Sequence, residues 1–467
     1  MAPVPALADR AQACAERLLQ AKSVLLASHI DADGLTSAAI ATHALERANV
    51  PTTVVFKNQL DDDEIASIAA RDFETVLFTD FGSGQLETIV EYAARDDFDP
   101  IVVDHHQPAD AETQFHLNPL LEDIDGAAEL SGSGTCYLLA RALGESDNRD
   151  LAKLAVVGAI GDMQAVDGEL VGANREIVAE GAEAGVLREE TDLALYGTQT
   201  RPLPKLFEYA DQPRIPGVSG DQSGSIEFLE SVGVPVKDDG EWRRWVDLSM
   251  AERQSVISAL LQRGVDRGVP ADTLDGLVGT TYTFPDEPEG TELRDASEFS
   301  TLLNATARYD RADVGLAVCL GDRDDALDRA RRLLSEHRRN LSAGLEWVRD
   351  HGVEKRPHVQ WFDAGEAIRE TIVGIVAGMA FGTDGIERDR PIVAFAEKSA
   401  TERKVSARGT ATLVNRGLDL SAAVGMASRA VGGDGGGHDI AAGATIPAGS
   451  QQAFIDRFES TVAEQLD

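Results

Sequence analysis

The chain has 467 residues, 43% of them hydrophobic, which is enough for two or three domains with cores of their own. Its 80 acidic residues against 43 basic ones give a net charge of -37, and only eight of the basic residues are lysine. The acids are spread along the whole chain, which excludes a disordered acidic tail and suits a cytosol of molar salt, where repulsion is screened within about 3 Å. In such salt counterion release no longer drives binding to nucleic acid, so the acidity does not exclude a nucleic-acid partner. It requires that phosphate be held by metal ions, backbone N–H groups and a few placed arginines. Cys14, Cys136 and Cys319 form no CxxC pair, so neither a disulfide framework nor a zinc-thiolate site is expected, and a reducing compartment is. The opening MAPVPALADR lacks a signal peptide's basic and apolar regions. The most apolar stretch, TIVGIVAGMAFG, is too short to span a bilayer. A cytoplasmic protein with no membrane partner is the expectation.

From residue 23 to about 190, short apolar runs alternate with helical patterns. SVLLA, TTVVF, TVLFT and PIVVD read as strands with helices between them, a rhythm that predicts an α/β fold with a parallel sheet. LTSAAIATHALERA after the first strand reads as a helix. From about 195 to 350 the character changes. Prolines and glycines gather in RPLPKLFEYADQPRIPGVSG, then helical patterns such as MAERQSVISALLQRG dominate, ending in a long charged helix, DDALDRARRLLSEHRRNLSAGLEWVRD. From 357 a second, smaller α/β pattern runs through HVQWFDA, TIVGIVAGMA, PIVAFAE and KVSARGT to a glycine-rich segment. The expected organisation is 1–195, 196–350 as a largely helical connector, and 351–467.

Ligands of open parallel sheets gather at the carboxyl ends of the strands. Four strand ends or following turns of this chain carry acids or histidines: His29, Asp31 and Asp33 in SHIDADG; Asp80 in LFTDFGSG; Asp104, His105 and His106 in IVVDHHQP; and Asp162 in VVGAIGDMQ. One acid at a strand end is an ordinary helix N-cap. Four such sites, with two adjacent histidines that could not both be cheaply buried, point to a shared centre. Two divalent ions about 3.5–4 Å apart clamp a phosphate and activate water, and they need several carboxylates, one of them bridging. Mixed Asp and His ligation without thiolate favours Mn²⁺, with Mg²⁺ as the other choice. Asp80, alone on its strand, is the candidate bridge.

HIDADG, TDFGSG, VVDHHQP and GAIGDMQ resemble, in this order, the four motifs of the DHH phosphoesterase superfamily, named after the triplet found here at Asp104, His105 and His106. The resemblance implies that His29 and Asp31 bind one metal and that Asp33, His105 and Asp162 bind the other. It further implies that Asp80 bridges the two ions, that His106 contacts the scissile phosphate or assists the leaving group, and that Asp104 orients the histidines. Motif I departs from the commoner spacing, in which the histidine lies further upstream of the paired acids.

The segment VGGDGGGHDIAAGATIP resembles the substrate-binding loop of the superfamily's associated C-terminal domain. By that likeness Gly435, Gly436 and Gly437 offer backbone N–H groups to a phosphate, His438 donates to it, and Arg408, with Lys404 and Ser406, helps to hold the nucleotide. In the middle of the chain LLNATARYD resembles the NAxGR segment of RecJ-like single-strand exonucleases. Asn304 and Arg308 take the matching positions, and Ala307 stands where the pattern has glycine. The PLPKLFEYADQPRIPGVSG and LRDASEFSTLLNA stretches look like archaeal RecJ-like proteins in particular. These likenesses imply a metal-dependent exonuclease on single-stranded DNA or RNA that serves repair or replication. The alternatives are a small-substrate phosphodiesterase, acting on oligonucleotides or cyclic dinucleotides, a soluble pyrophosphatase, and a replication scaffold associated with the GINS complex.

Overall fold

The computed structural model describes residues 3–210, 213–383 and 385–466; Asp211 and Gln212 of the proline-rich stretch lie outside them. The chain divides into two compact units, Met1–Arg331 and Arg332–Asp467. Of the connector expected over 196–350, residues 196–331 lie in the first unit, and the long charged helix Asp325–His351 runs across the division.

In the first unit α1 (Ala8–Leu19) precedes β1 (Val24–His29), α2 (Ala32–Arg47), β2 (Thr52–Lys57), α3 (Asp62–Ala69), β3 (Thr75–Thr79), α4 (Leu86–Ala93), β4 (Asp99–Val103) and the short β5 (His116–Leu117). The strands form a parallel sheet in the order β2-β1-β3-β4-β5. Their sequences are near-continuous apolar runs because helices cover the sheet. Leu25, Ala27, Val76, Phe78 and Val102 share one core cluster with Ile65 of α3 and Ile89 of α4. α2 packs against α5 (Gly132–Gly144) and α6 (Ala152–Gly161) and is buried on nearly every side, which its run of alanine, serine and threonine permits. The apolar run AVVGAIG before Asp162 is the end of α6, so the fourth acid stands at a helix C-cap and not at a strand end. A short run that is apolar on every side carries no period that separates a buried helix from a buried strand.

In the second unit a six-stranded mixed sheet has the order Glu354–Lys355, Gln360–Asp363, Ile392–Glu397, Glu402–Arg408, Ala441–Pro447, Asp434–Gly437. Successive residues point to opposite faces. Val393 and Phe395 pack with the helices Leu420–Ala430 and Gln451–Leu466, while Ile392, Ala394 and Ala396 pack with the helix Glu370–Ala380. The expected glycine loop is in fact the edge strand Asp434–Gly437 of this sheet. Two of its glycines are needed for close packing. A methyl group at Gly435 would collide with Ala444, and one at Gly437, where φ is +146°, would press on Ala441 and Ala442. Among the described residues no helix is long and apolar enough to cross a membrane.

Candidate metal centre

Asp31 is the N-cap of α2, its Oδ1 accepting from the Gly34 N–H at 3.0 Å, while its Oδ2 lies 3.1 Å from His29 Nδ1. A cap and a charged cluster are thus built from one carboxylate. At the end of β3, Asp80 adopts the left-handed conformation, with φ of +61°, and is buried. Its Oδ2 lies 3.6 Å from His29 Nδ1 and its Oδ1 lies 3.2 Å from His105 Nε2, so the two oxygens face two different groups of residues. Ligand atoms of His29, Asp31 and Asp80 lie within 4.8 Å of one another, as do those of Asp33, His105 and Asp162.

Asp33 is fixed by the start of α5, where Gly132 N–H donates to its Oδ2 at 2.8 Å and Ser133 N–H to its Oδ1 at 3.0 Å. Two helices reach the carboxylates only because glycine stands at the contacts. A methyl group at Gly132 would collide with Asp80 Oδ1, and one at Gly158 in α6 with Asp33 Oδ1. His105 Nδ1 lies 2.6 Å from the Gly126 carbonyl oxygen, which can only accept, so this nitrogen carries the proton and Nε2 is turned toward the acids. Gln164 ties the cluster together. Its Nε2 donates to Asp162 Oδ2 and to the Gly126 oxygen, both at 2.9 Å, and its Oε1 accepts from Asn174 at 2.7 Å.

Asp104 is fully buried and all its bonds go to orientation. Oδ1 accepts from the His105 and His106 N–H groups and from His106 Nδ1, and Oδ2 accepts from the Ser83 N–H. Behind it, Asn118 donates to Ser83 Oγ and to the His106 carbonyl, both at 2.9 Å, and His116 meets Ser83 Oγ at the same distance. Burial holds His116 neutral, down to about 4. The side chain of His106 is exposed, leaving its Nε2 for another partner.

The electrostatics describe a crowded anionic site. Burial, with Asp80 and Asp162 close by, pushes Asp33 well above the carboxylate range. Burial likewise raises Asp162 to about 6, against the opposing pull of His105. Burial opposes protonation of His29, His105 and His106, yet their aspartate partners outweigh it and lift all three, the first two strongly. Burial also disfavours charge on Asp31, but His29, the Gly34 N–H and Arg308 hold it well below its ordinary value. His106 does the same for Asp104. Such a set of groups fits a divalent cation. His105 Nε2 is buried without a hydrogen bond that satisfies its geometry, and the donors are carboxylate oxygens and imidazole nitrogens.

All eight acids and histidines of the four motifs meet in this centre. Asn304 and Arg308 join them. Asn304 Oδ1 accepts from the Ala32 N–H at 3.1 Å and so holds the start of α2, and Arg308 is exposed and acts on Asp31 by its charge. Arg408, Lys404, Ser406, the three glycines and His438 belong to the second unit, where Arg408 lies against Gly374 of the helix Glu370–Ala380. Sequence reading missed Gly132, Ser133, Gln164, Ser83 and Asn118. Only the small-residue run SGSGT gave a signal for the first two, as a helix start beside an anion.

Comparison with known proteins gives the following matches. The DHH family N-terminal domain matches residues 23–159, the DHH-CID domain 195–278, and the DHHA1 domain 358–464. An uncharacterized protein of Methanocaldococcus jannaschii is 30% identical over 448 residues, 94% of this chain and 93% of its own. The single-stranded-DNA-specific exonuclease RecJ of Bacillus subtilis is 26% identical over 186 residues, 36% of this chain and 22% of that protein. RecJ of Thermus thermophilus, solved in complex with Mn²⁺, shares the fold with a TM-score of 0.62 at 19% identity, covering 99% of this chain and 55% of that one. CDC45 of Entamoeba histolytica does so with a TM-score of 0.65 at 10% identity, covering 97% of each. The chain therefore spans about half the length of the Thermus RecJ.

Proposed function

This chain belongs to the DHH superfamily, with DHH, DHH-CID and DHHA1 domains, and from that premise we propose that it is a metal-dependent exonuclease releasing nucleotides from single-stranded DNA or RNA. The observation that carries the reading is Asp80, whose two oxygens face His29 and His105 in two adjoining clusters of acids and imidazoles. In this reading His29, Asp31 and Asp80 hold one divalent ion, and Asp80, Asp33, His105 and Asp162 hold the other, with Mn²⁺ favoured and Mg²⁺ accepted. The ions supply charge neutralisation for a phosphodiester and a lowered pKa for water.

The chain's own residues do the rest. His106, its Nδ1 held by Asp104 and its pKa raised, keeps a proton on Nε2 that can be given to a phosphate oxygen or to the leaving group. Asp104 is a positioning residue. Arg308, beside Asp31, is placed to meet substrate phosphate, and Asn304 keeps α2 and its acids in register. In the second unit Arg408, with Lys404 and Ser406, and the Gly435–Gly437 edge with His438 offer a cation and N–H groups to a nucleotide. The single-strand substrate is favoured by the likeness to the RecJ exonucleases and by the NATAR segment brought to the centre. A role in repair or replication belongs to the same reading.

The test is incubation in molar KCl with Mn²⁺ and single-stranded DNA or RNA labelled at either end, alongside Asp80→Ala. Wild type should release mononucleotides, and Asp80→Ala should lose at least about 10³-fold in rate while remaining folded, since the clamp on the phosphate is gone. Hydrolysis by Asp80→Ala at the wild-type rate would overturn the assignment of the ions. Cleavage of dinucleotides, cyclic dinucleotides or pyrophosphate alone would move the activity to small substrates. The fold shared with CDC45 favours a second reading, a replication scaffold that binds a GINS-like complex, to be pursued if every substrate is left intact.

A further inference from the structure

Resting on the nucleotide-releasing reading above, we propose that Met163 is a specificity-determining residue that receives the nucleobase of the nucleotide being removed. Asp162 caps α6 with its carboxylate in the metal centre, and two residues later Gln164 is buried and hydrogen-bonded to the same carboxylate. Both side chains must turn inward, so the residue between them is turned out, in a left-handed conformation with φ of +61°. A helix that ends in this conformation is best served by glycine, and sometimes by asparagine. Here the position holds a methionine, strained by its Cβ and 87% exposed. Folding explains the conformation of the turn. It explains neither the strain accepted by a residue with a side chain nor the large apolar group displayed to solvent.

The next residues add to the picture. A hairpin of Ala165–Val166 and Glu169–Leu170 turns through Asp167 and Gly168, with φ of +50° and +85°, and leaves Val166 exposed as well. Two exposed apolar side chains thus stand within four residues of a carboxylate of the centre. A phosphodiester held at that centre carries a nucleoside beside it, and the face of its base is the apolar surface available there. A thioether on an unbranched, flexible stem adapts to the face of any base and makes favourable sulfur–ring contacts. This gives selection for the presence of a base without selection among bases. An unstacked base is offered by a single strand, so the same residue favours single-stranded ends.

The experiment uses the full chain with Mn²⁺ and pairs of end-labelled strands identical except that the terminal nucleotide is intact or abasic, made for each end. Wild type should cleave the intact end with the higher kcat/KM. Met163→Gly should narrow that preference about two- to ten-fold, the range a sulfur–ring contact gives, and should melt no lower than wild type because the strain is relieved. Met163→Leu should retain most of the preference. A Met163→Gly protein with altered melting but the wild-type preference would show a structural role only and overturn the assignment, as would a wild type that cuts intact and abasic ends equally well. A wild type that cuts neither strand would remove the nucleotide-releasing reading itself, and this assignment with it.

Discussion

Gln164 does what no ligand does for itself. One amide nitrogen holds both the Asp162 carboxylate and the carbonyl that fixes the tautomer of His105, and Asn174 keeps that amide from flipping. Groups that orient ligands in this way are worth about 10–100-fold in metal affinity. Gln164→Leu keeps the volume and removes the bonds, so Mn²⁺ binding measured by calorimetry should weaken by about that factor. A thermal midpoint a few degrees lower is also expected, because the Asn174 amide is left buried and unpaired. Affinity equal to wild type would show that the bonds do not orient the ligands. The residue could not be read from the sequence, since its partners at 126, 162 and 174 are brought to it by the fold. His29, Asp31, Asp33, Asp80 and the Asp104–His106 triplet could be read, because a parallel sheet delivers strand ends to one edge and each motif is contiguous with its strand. Asp31 is both an ordinary helix N-cap and a member of the cluster, for it caps α2 while facing His29.

Among the elements, the helix Ala296–Arg308 carries Asn304 and Arg308 to the centre, and its own anchor is a buried carboxyl. Glu298 accepts from the Gln199 N–H at 2.7 Å and from the Thr200 hydroxyl, and it is faced by Asp295 and Glu292. Burial pushes Glu298 up from an ordinary 4.5 to about 7, and Asp295, the N-cap of the helix, to about 6. A carboxyl whose pKa is higher folded than unfolded contributes stability that is full below its unfolded value and is lost as pH rises through the folded one. Between pH 4.5 and 7.5 Glu298 alone should therefore cost on the order of 3 kcal/mol. Glu298→Gln, whose amide oxygen can accept from the Gln199 N–H while its amide nitrogen donates to the Thr200 hydroxyl, should flatten that fall, so that the variant gains on wild type as pH rises. Denaturant titrations at pH 5 and pH 8 measure the difference, and parallel curves for the two proteins would refute the argument. At this scale the sequence was less transparent. The first four strands were legible from their apolar runs, whereas AVVGAIG, apolar on every side, is helix, and the glycine-rich segment is an edge strand whose packing against Ala442 and Ala444 demands glycine at 435 and 437.

For the whole molecule the governing quantity is a net charge of -37, with eight lysines among the cations. The ion pairs of the described residues use arginine for the most part, among them Arg47–Asp150, Arg323–Glu287 and Arg356–Asp456, and they leave a large excess of carboxylates facing solvent. Compact folding brings these charges together, so their repulsion is greater in the folded state than in the unfolded chain. Raising salt from about 0.1 M to about 1 M shortens the screening length from about 10 Å to about 3 Å, which removes most of this repulsion while leaving the buried pairs of the metal centre nearly untouched. The thermal midpoint should therefore climb with KCl by roughly 5–10 °C, the shift that two or three kcal/mol produces in units of this size. Uncharged sucrose at equal osmolality should give a smaller rise, because it strengthens burial without screening charge. Equal rises in both would assign the effect to solvent exclusion. A midpoint indifferent to KCl would mean that the surface acids are too far apart to repel, and the composition would lose its reading as an adaptation to salt.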